Sequence, residues 1–388
     1  MRVEVVSGPV RYRLVPLVAL FLVMLVPLAG LTALAVWSDR EADAYEAADD
    51  VDADDLRGPS IVPPPTPALA TPLLTFRRHP TALSAEAADN RLATALDQVY
   101  TYLDERSCAA VGVDGRRAST FNEAAPVIPA SVQKLLVAAV ALDQLGADHR
   151  FTTDVRGPAP IEGVIDGNVY LVGGGYPLLT SDDFPLDGDA QPAFDTTSLD
   201  ALADALAAAG VIRIAGAVVG DGSRYDDEWE IPSWGDGVAG VEAGPYDALL
   251  VNDARVVGRT GRQSDPNLAA AREFVRLLGN RGVGVAAGWD TGAAPGELAV
   301  LATFESVPLD NVVREMLVTS DDDTAEMLLK ELGVADSGDG TVAAGLNVVD
   351  RTLRSWGLPM EGVRLVDASG LSSENRVTCA FVLALLDH

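Results

Sequence analysis

The chain has 388 residues, nearly half of them apolar, which is enough for two domains and their appendages. Its 57 acidic against 28 basic side chains leave a formal charge of −29. That balance excludes nucleic acid as a partner and docking on anionic lipid through a basic face, since both need clustered Lys and Arg.

Residues 1–13 carry Arg2, Arg11 and Arg13, and the run 14–37, LVPLVALFLVMLVPLAGLTALAVW, has no charge. As a helix it would span about 36 Å, more than the roughly 30 Å of bilayer hydrocarbon. Asp39, Glu41 and Asp43 follow it, so the positive-inside rule leaves 1–13 in the cytoplasm and the remainder outside. The expectation is a single-pass cell-membrane protein, with Ala33-Leu34-Ala35 offering an alternative, signal cleavage and secretion. Residues 38–79 read as a linker, acidic around Asp49–Asp55 and then proline-rich (PSIVPPPTPALATP).

Helical periodicity begins near Ser84, in SAEAADNRLATALDQVYTYLDE, and CAAVGVDGRRAST reads as a hairpin turning at Asp114-Gly115. A helix is predicted over Ser131–Leu145, closed by Gly146. From 151 to 300 short strands such as FTTDVRG and GVIRIAGAVVGDGS alternate with the helices LDALADALAAAG and NLAAAREFVRLLG, a mixed α/β segment. Gly173–Gly175 reads as a tight turn, because no GK[ST] follows it. Helical sequence returns with LDNVVREMLV, DTAEMLLKELG and GTVAAGLNVVDRTLRSWG, then a strand VRLVD and a final helix VTCAFVLALLDH. The cysteines, Cys108 and Cys379, lie far apart without CxxC or Cys/His spacing, so no zinc site or other metal is implied and their pairing stays open.

Chemistry is found by elimination. The three histidines, His79, His149 and His388, sit in no nucleophile turn, so a Ser-His-Asp triad is not expected. Ser131 and Lys134 offer an alternative: three residues apart at a helix start, they share a face where free N–H groups and the helix dipole favour negative charge. Ser-x-x-Lys also arises by chance, as a capping serine before a snorkelling lysine. Far downstream Ser320-Asp321-Asp322 stands between two helical runs, where a hydroxyl could relay a proton; an N-cap with acidic first-turn residues would read the same.

Taken together, PASVQKLLVAAVALDQLG, YLVGGGYPLL, VVGDGSRYD, PYDALLVNDARV, TSDDDTAEMLLKELG and VDASGLSSENRVT resemble, in order, segments of the D-alanyl-D-alanine carboxypeptidase/endopeptidase family, the class C low-molecular-mass penicillin-binding proteins. The resemblance implies an α/β (α+β) fold. A β-lactamase/transpeptidase-like domain (80–150 and 301–388) would carry a mixed α/β domain (151–300) inserted between SxxK and SxN. It implies Ser131 as acylated nucleophile, Lys134 as base, Ser320 as relay, and the SxN asparagine position, here Asp322, as substrate-binding. Peptidoglycan stem peptides would be substrates, β-lactams acylating inhibitors, and no cofactor is implied.

Three departures follow. Asp322 cannot donate the amide hydrogen bond of an asparagine, and its charge favours the charged form of a neighbouring amine. Tyr176 stands where GGGDP has its acid, and no Lys-Thr-Gly or Lys-Ser-Gly follows Ser369-Gly370. The resemblance alone therefore leaves open a truncated, catalytically inactive relative, and a β-lactamase-like hydrolase is a further alternative.

Overall fold

The computed structural model describes residues 80–184, 197–235 and 237–388; the apolar run 14–37 and the linker lie outside them. Helix α1 (Pro80–Tyr100) lies against a hairpin of β1 (Ala109–Val113) and β2 (Arg116–Phe121). Asp114 and Gly115 both take positive φ, 50° and 70°, matching the twist that a two-residue hairpin loop requires. A two-stranded ribbon is marginal by itself. Here α1 packs on β2, the Tyr100 hydroxyl donates to Ser119 at 2.8 Å, and the last helix packs on β1.

After the hairpin comes α2 (Lys134–Leu145), whose Leu136, Val140 and Ala141 are fully enclosed. Gly146, at φ 88°, ends it. The chain then makes a long excursion. Strands β3 (Thr152–Gly157), β5 (Val169–Val172), β9 (Val218–Asp221), β12 (Trp289–Thr291) and β13 (Ala299–Glu305) form one sheet in the order β12-β9-β5-β3-β13. The first three in that order run parallel; β3 and β13 are antiparallel to their neighbours. Short parallel strands β4 (Val164–Ile165), β8 (Arg213–Ile214) and β11 (Gly284–Val285) make a second sheet. A third joins β6 (Tyr176–Thr180), β7 (Thr197–Ser198) and β10 (Leu249–Val251). Helices α3 (Asp200–Ala208) and α4 (Pro266–Asn280) pack together, and α4, with Phe274 and Leu277 buried, also packs on β9 and β12.

The boundary drawn at 300 falls inside β13, which pairs with β3 from Ala299↔Gly157 to Glu305↔Thr152. The excursion closes at Ser306, whose N–H donates to the Phe151 carbonyl at 2.9 Å while its hydroxyl accepts from Phe151 N at 2.9 Å. Exit and return of this segment lie side by side. The GGG segment is a close approach rather than a phosphate loop: a Cβ on Gly174 would lie 1.9 Å from the Thr152 carbonyl oxygen.

Beyond Ser306 come α5 (Leu309–Thr319), α6 (Asp322–Ser337), α7 (Val342–Ser355) and α8 (Cys379–Asp387). Helix α2 is wrapped by α5, α6 and α7. Each of the last three starts on a side-chain cap: Asp321, Thr341 and Thr378 accept from Thr324 N, Ala344 N and Phe381 N. VRLVD does not form the expected strand. Only Arg364 bridges to Arg376; the Val366 N–H goes instead to the Asn375 side chain, at 2.8 Å from Oδ1, and the chain then coils around the buried Asp367 carboxylate, which accepts from Gly370 N and Ser372 N.

Cys108 and Cys379 form a disulfide, resolving the pairing left open by sequence. It ties the foot of the hairpin to the first turn of α8 across 271 residues. Such a closure stabilises chiefly by restricting the unfolded chain. Reduction, or Cys108→Ser with Cys379→Ser, is expected to cost about 2–5 kcal/mol. Urea denaturation with and without reductant measures it.

Candidate active site

Ser131 stands on a 3-10 turn, Ala130–Gln133, that runs directly into α2 at Lys134. The sequence predicts one continuous α-helix from Ser131; the structure opens with this tighter turn instead, entered from Ala130 at φ 48°. Ala130 is held there by a close neighbour. Its carbonyl oxygen lies 1.9 Å from where a Cβ on Gly370 would be, so only glycine, at φ 91°, lets the two loops meet.

The wall behind Ser131 is Lys134, its side chain 1% exposed. Its Nζ donates to the Ser369 carbonyl at 2.8 Å, lies 2.5 Å from Asp322 Oδ1, and reaches Ser131 Oγ at 3.5 Å. Ser320 approaches from the other side, donating to Ser131 Oγ at 2.8 Å. It ends α5 in a left-handed conformation, φ 61°, which turns its side chain out of the helix line. Asp321 caps α6, and Asp322 is that helix's first residue. The structure thus brings Ser131, Lys134, Ser320 and Asp322 into one cluster, Ser320 meeting the amine by way of Ser131.

The electrostatics come from crowding of carboxylates. Burial pushes the Asp322 carboxyl up, and the charge of Lys134 pulls it back down. Burial, then the negative charges of Asp253 and Asp323, push Asp321 up to about 7. Arg262 answers part of this by pairing with Asp323, whose other oxygen accepts from Gly244 N at 2.6 Å. Asp253, Glu315, Thr319 and Asp321 help to line a cavity of about 20 Å³ behind the motif, room for one water.

Several contributors escaped the sequence reading. Glu326, one turn beyond Asp322 on α6, is fully buried and accepts from the N–H groups of Ala368 and Ser369 at 3.0 and 2.8 Å. Asp367 accepts from Gly370 N, Ser372 N, Asn375 Nδ2 and Trp234 Nε1, fixing the turn that carries the Ser369 carbonyl. In the sequence this segment stood out only through the resemblance of VDASGLSSENRVT, and backbone groups leave no residue-type signal. Tyr176, at the place of an acid in GGGDP, is buried and hydrogen-bonded to Thr197.

The D-Ala-D-Ala carboxypeptidase 3 (S13) family model matches residues 105–264 and 250–388. The chain belongs to this family. Over 379 residues it is 30% identical to "Carboxypeptidase DacB" of Mycolicibacterium smegmatis, an alignment covering 95% of this chain and 76% of that protein. It is 27% identical over 335 residues to the "D-alanyl-D-alanine carboxypeptidase" of an Actinomadura species, covering 67% of this chain and 60% of that one. The chain therefore spans less than the full length of these relatives. Among solved structures it resembles penicillin binding protein 4 (dacB) from Haemophilus influenzae, with a TM-score of 0.62, 19% identity and coverage of 75% and 77%. At that identity the likeness speaks to the fold alone: a mixed α/β, penicillin-binding transpeptidase-like fold.

Within the family's fold, Glu326 also marks a pH dependence of stability. Burial, then the charge of Asp367, push its carboxyl up from an ordinary 4.5 to about 8. A raised carboxyl favours the folded state fully below about pH 4.5 and loses that contribution as pH climbs toward 8. Glu326→Gln is expected to flatten the fall in unfolding free energy between those limits, by up to about 5 kcal/mol. Denaturation curves at half-unit pH steps measure it.

Proposed function

We propose that this chain is a serine-type D-Ala-D-Ala carboxypeptidase/endopeptidase of peptidoglycan metabolism, with Ser131 as nucleophile. One observation carries the reading: an amine with its own hydrogens committed elsewhere faces a hydroxyl. An uncharged Lys134 has two N–H bonds and one lone pair. Asp322 Oδ1 and the Ser369 carbonyl accept the two N–H bonds, which leaves the lone pair toward Ser131. Lys134 is then the general base.

In this mechanism Ser131 Oγ attacks the carbonyl carbon of the D-Ala-D-Ala peptide bond as its proton passes to Lys134. The tetrahedral adduct collapses to an acyl-enzyme. Ser320, 2.8 Å from Ser131 Oγ, relays the proton to the departing amine of the terminal D-Ala. Water, activated by the same amine, releases the shortened peptide. A β-lactam enters by the same attack, its ring amide opening onto Ser131. No step calls for a metal or cofactor. Asp322 is the substrate-facing residue at the mouth of the site. As an acceptor it can meet substrate N–H groups.

We place the protein at the cell membrane, anchored by 14–37, with the catalytic body outside. The charge asymmetry around that run supports the orientation, and the Cys108–Cys379 disulfide suits an oxidising compartment. The anchor lies outside the described residues, among which no helix is long and apolar enough to cross a membrane.

The purified chain should be labelled covalently by a fluorescent penicillin, and Ser131→Ala should abolish the label. Absence of label on the wild type would favour an inactive relative and overturn this reading, while rapid release of hydrolysed penicillin would indicate a β-lactamase-like hydrolase. Asp322→Asn, which frees Lys134 from the ion pair, is expected to speed labelling at neutral pH by about tenfold or more. Stopped-time gels of label against Ser131 measure both.

A further inference from the structure

The proton acceptor of Ser131 is held by a backbone carbonyl, and that carbonyl is itself held by a side chain with no part in the reaction. Asp322 and Glu326 lie four residues apart on α6, so both project from one face toward the nucleophile turn. Asp322 touches Lys134 directly. Glu326 is completely enclosed; its Oε1 takes the N–H of Ala368 at 3.0 Å and of Ser369 at 2.8 Å. The carbonyl of the same Ser369 accepts from Lys134 Nζ at 2.8 Å. A second brace reaches this loop from the nucleophile turn, where Gln133 Nε2 donates to the Asp367 carbonyl at 3.0 Å.

We propose that Glu326 is the positioning residue of the catalytic amine. By gathering two consecutive N–H groups on one oxygen it fixes the Ser369 carbonyl as an acceptor for Lys134, and so directs the amine's lone pair at Ser131. This rests on the assignment of Lys134 as base. The geometry separates the two ways in which Glu326 could matter. An acceptor at that reach is what the loop needs; a negative charge is not, because neutral amide N–H groups bond equally well to a carboxamide oxygen. Nothing is called for from Oε2, which has no hydrogen-bond partner among the described residues.

The test uses the full chain and a fluorescent penicillin, resolving the acylation rate constant from the pre-acylation dissociation constant by varying the probe. Glu326→Gln keeps the acceptor at its reach, and its acylation rate constant should stay within about threefold of wild type. Glu326→Asp keeps the carboxylate but withdraws it by one methylene. Its acylation rate constant should fall about tenfold or more, with the dissociation constant within about twofold, because a misaimed base slows proton transfer without removing the probe's binding surface. Acylation by Glu326→Asp at the wild-type rate, or a Glu326→Gln enzyme as slow as Glu326→Asp, overturns the proposal. A fall confined to binding does the same. Should Glu326→Asp not fold, the Glu326→Gln result alone decides between acceptor and charge. An unlabelled wild type would instead sink the assignment of Ser131 and Lys134, on which this inference depends.

Discussion

A single buried ammonium or amine group organises this molecule's working end. Lys134 sits with almost no exposure at the base of the Ser131 turn, and a group of that kind cannot be left without partners in a low-dielectric interior. Its partners come from three places in the chain: Ser131 on its own turn, Asp322 at the head of α6, and the Ser369 carbonyl from the loop before α8. Satisfying one nitrogen therefore obliges residues about 190 and 235 positions away to converge. The Gly370–Ala130 approach and the Glu326 and Asp367 brackets are the local means by which they do so.

The segment 151–306 reaches this centre through two side chains. Arg262 and Trp234 meet Asp323 and Asp367, one residue past Asp322 and two before Ser369 respectively. Lys330, fully buried on α6, is held by Asp226 and the Glu228 carbonyl, with the Tyr246 ring 5.2 Å away. The segment 151–306 thus holds α6 at Asp323 and at Lys330, and α6 carries both Asp322 and Glu326.

Charge explains why so acidic a protein tolerates this site. Asp253, Asp321, Asp322, Asp323, Glu326 and Asp367 crowd near three basic side chains, Lys134, Arg255 and Arg262. Burial and mutual repulsion push the Asp321 and Glu326 carboxyls up to about 7 and about 8, so part of this charge is neutralised by protons rather than by counter-ions. The departure from an SxN asparagine to Asp322 has a physical setting here: the added carboxylate lands on the amine and pairs with it.

By itself the sequence determined the local and the periodic. The hairpin at Asp114-Gly115 was legible because a turn with two positive φ values demands those residue types, and the helices because their apolar spacing matches their buried faces. It also singled out Ser131, Lys134, Ser320 and Asp322 and pointed to the family, since reactive groups at fixed spacing are carried by side-chain identity. Tertiary structure decided what depends on backbone and on distance. The 3-10 start of α2, the failure of VRLVD to become a strand, the reach of the inserted sheet to Glu305, the pairing of the cysteines and the role of the Ser369 carbonyl all belong to that class. None leaves a residue-type trace, because a carbonyl oxygen is the same in every amino acid and only the folded chain determines which one meets the amine.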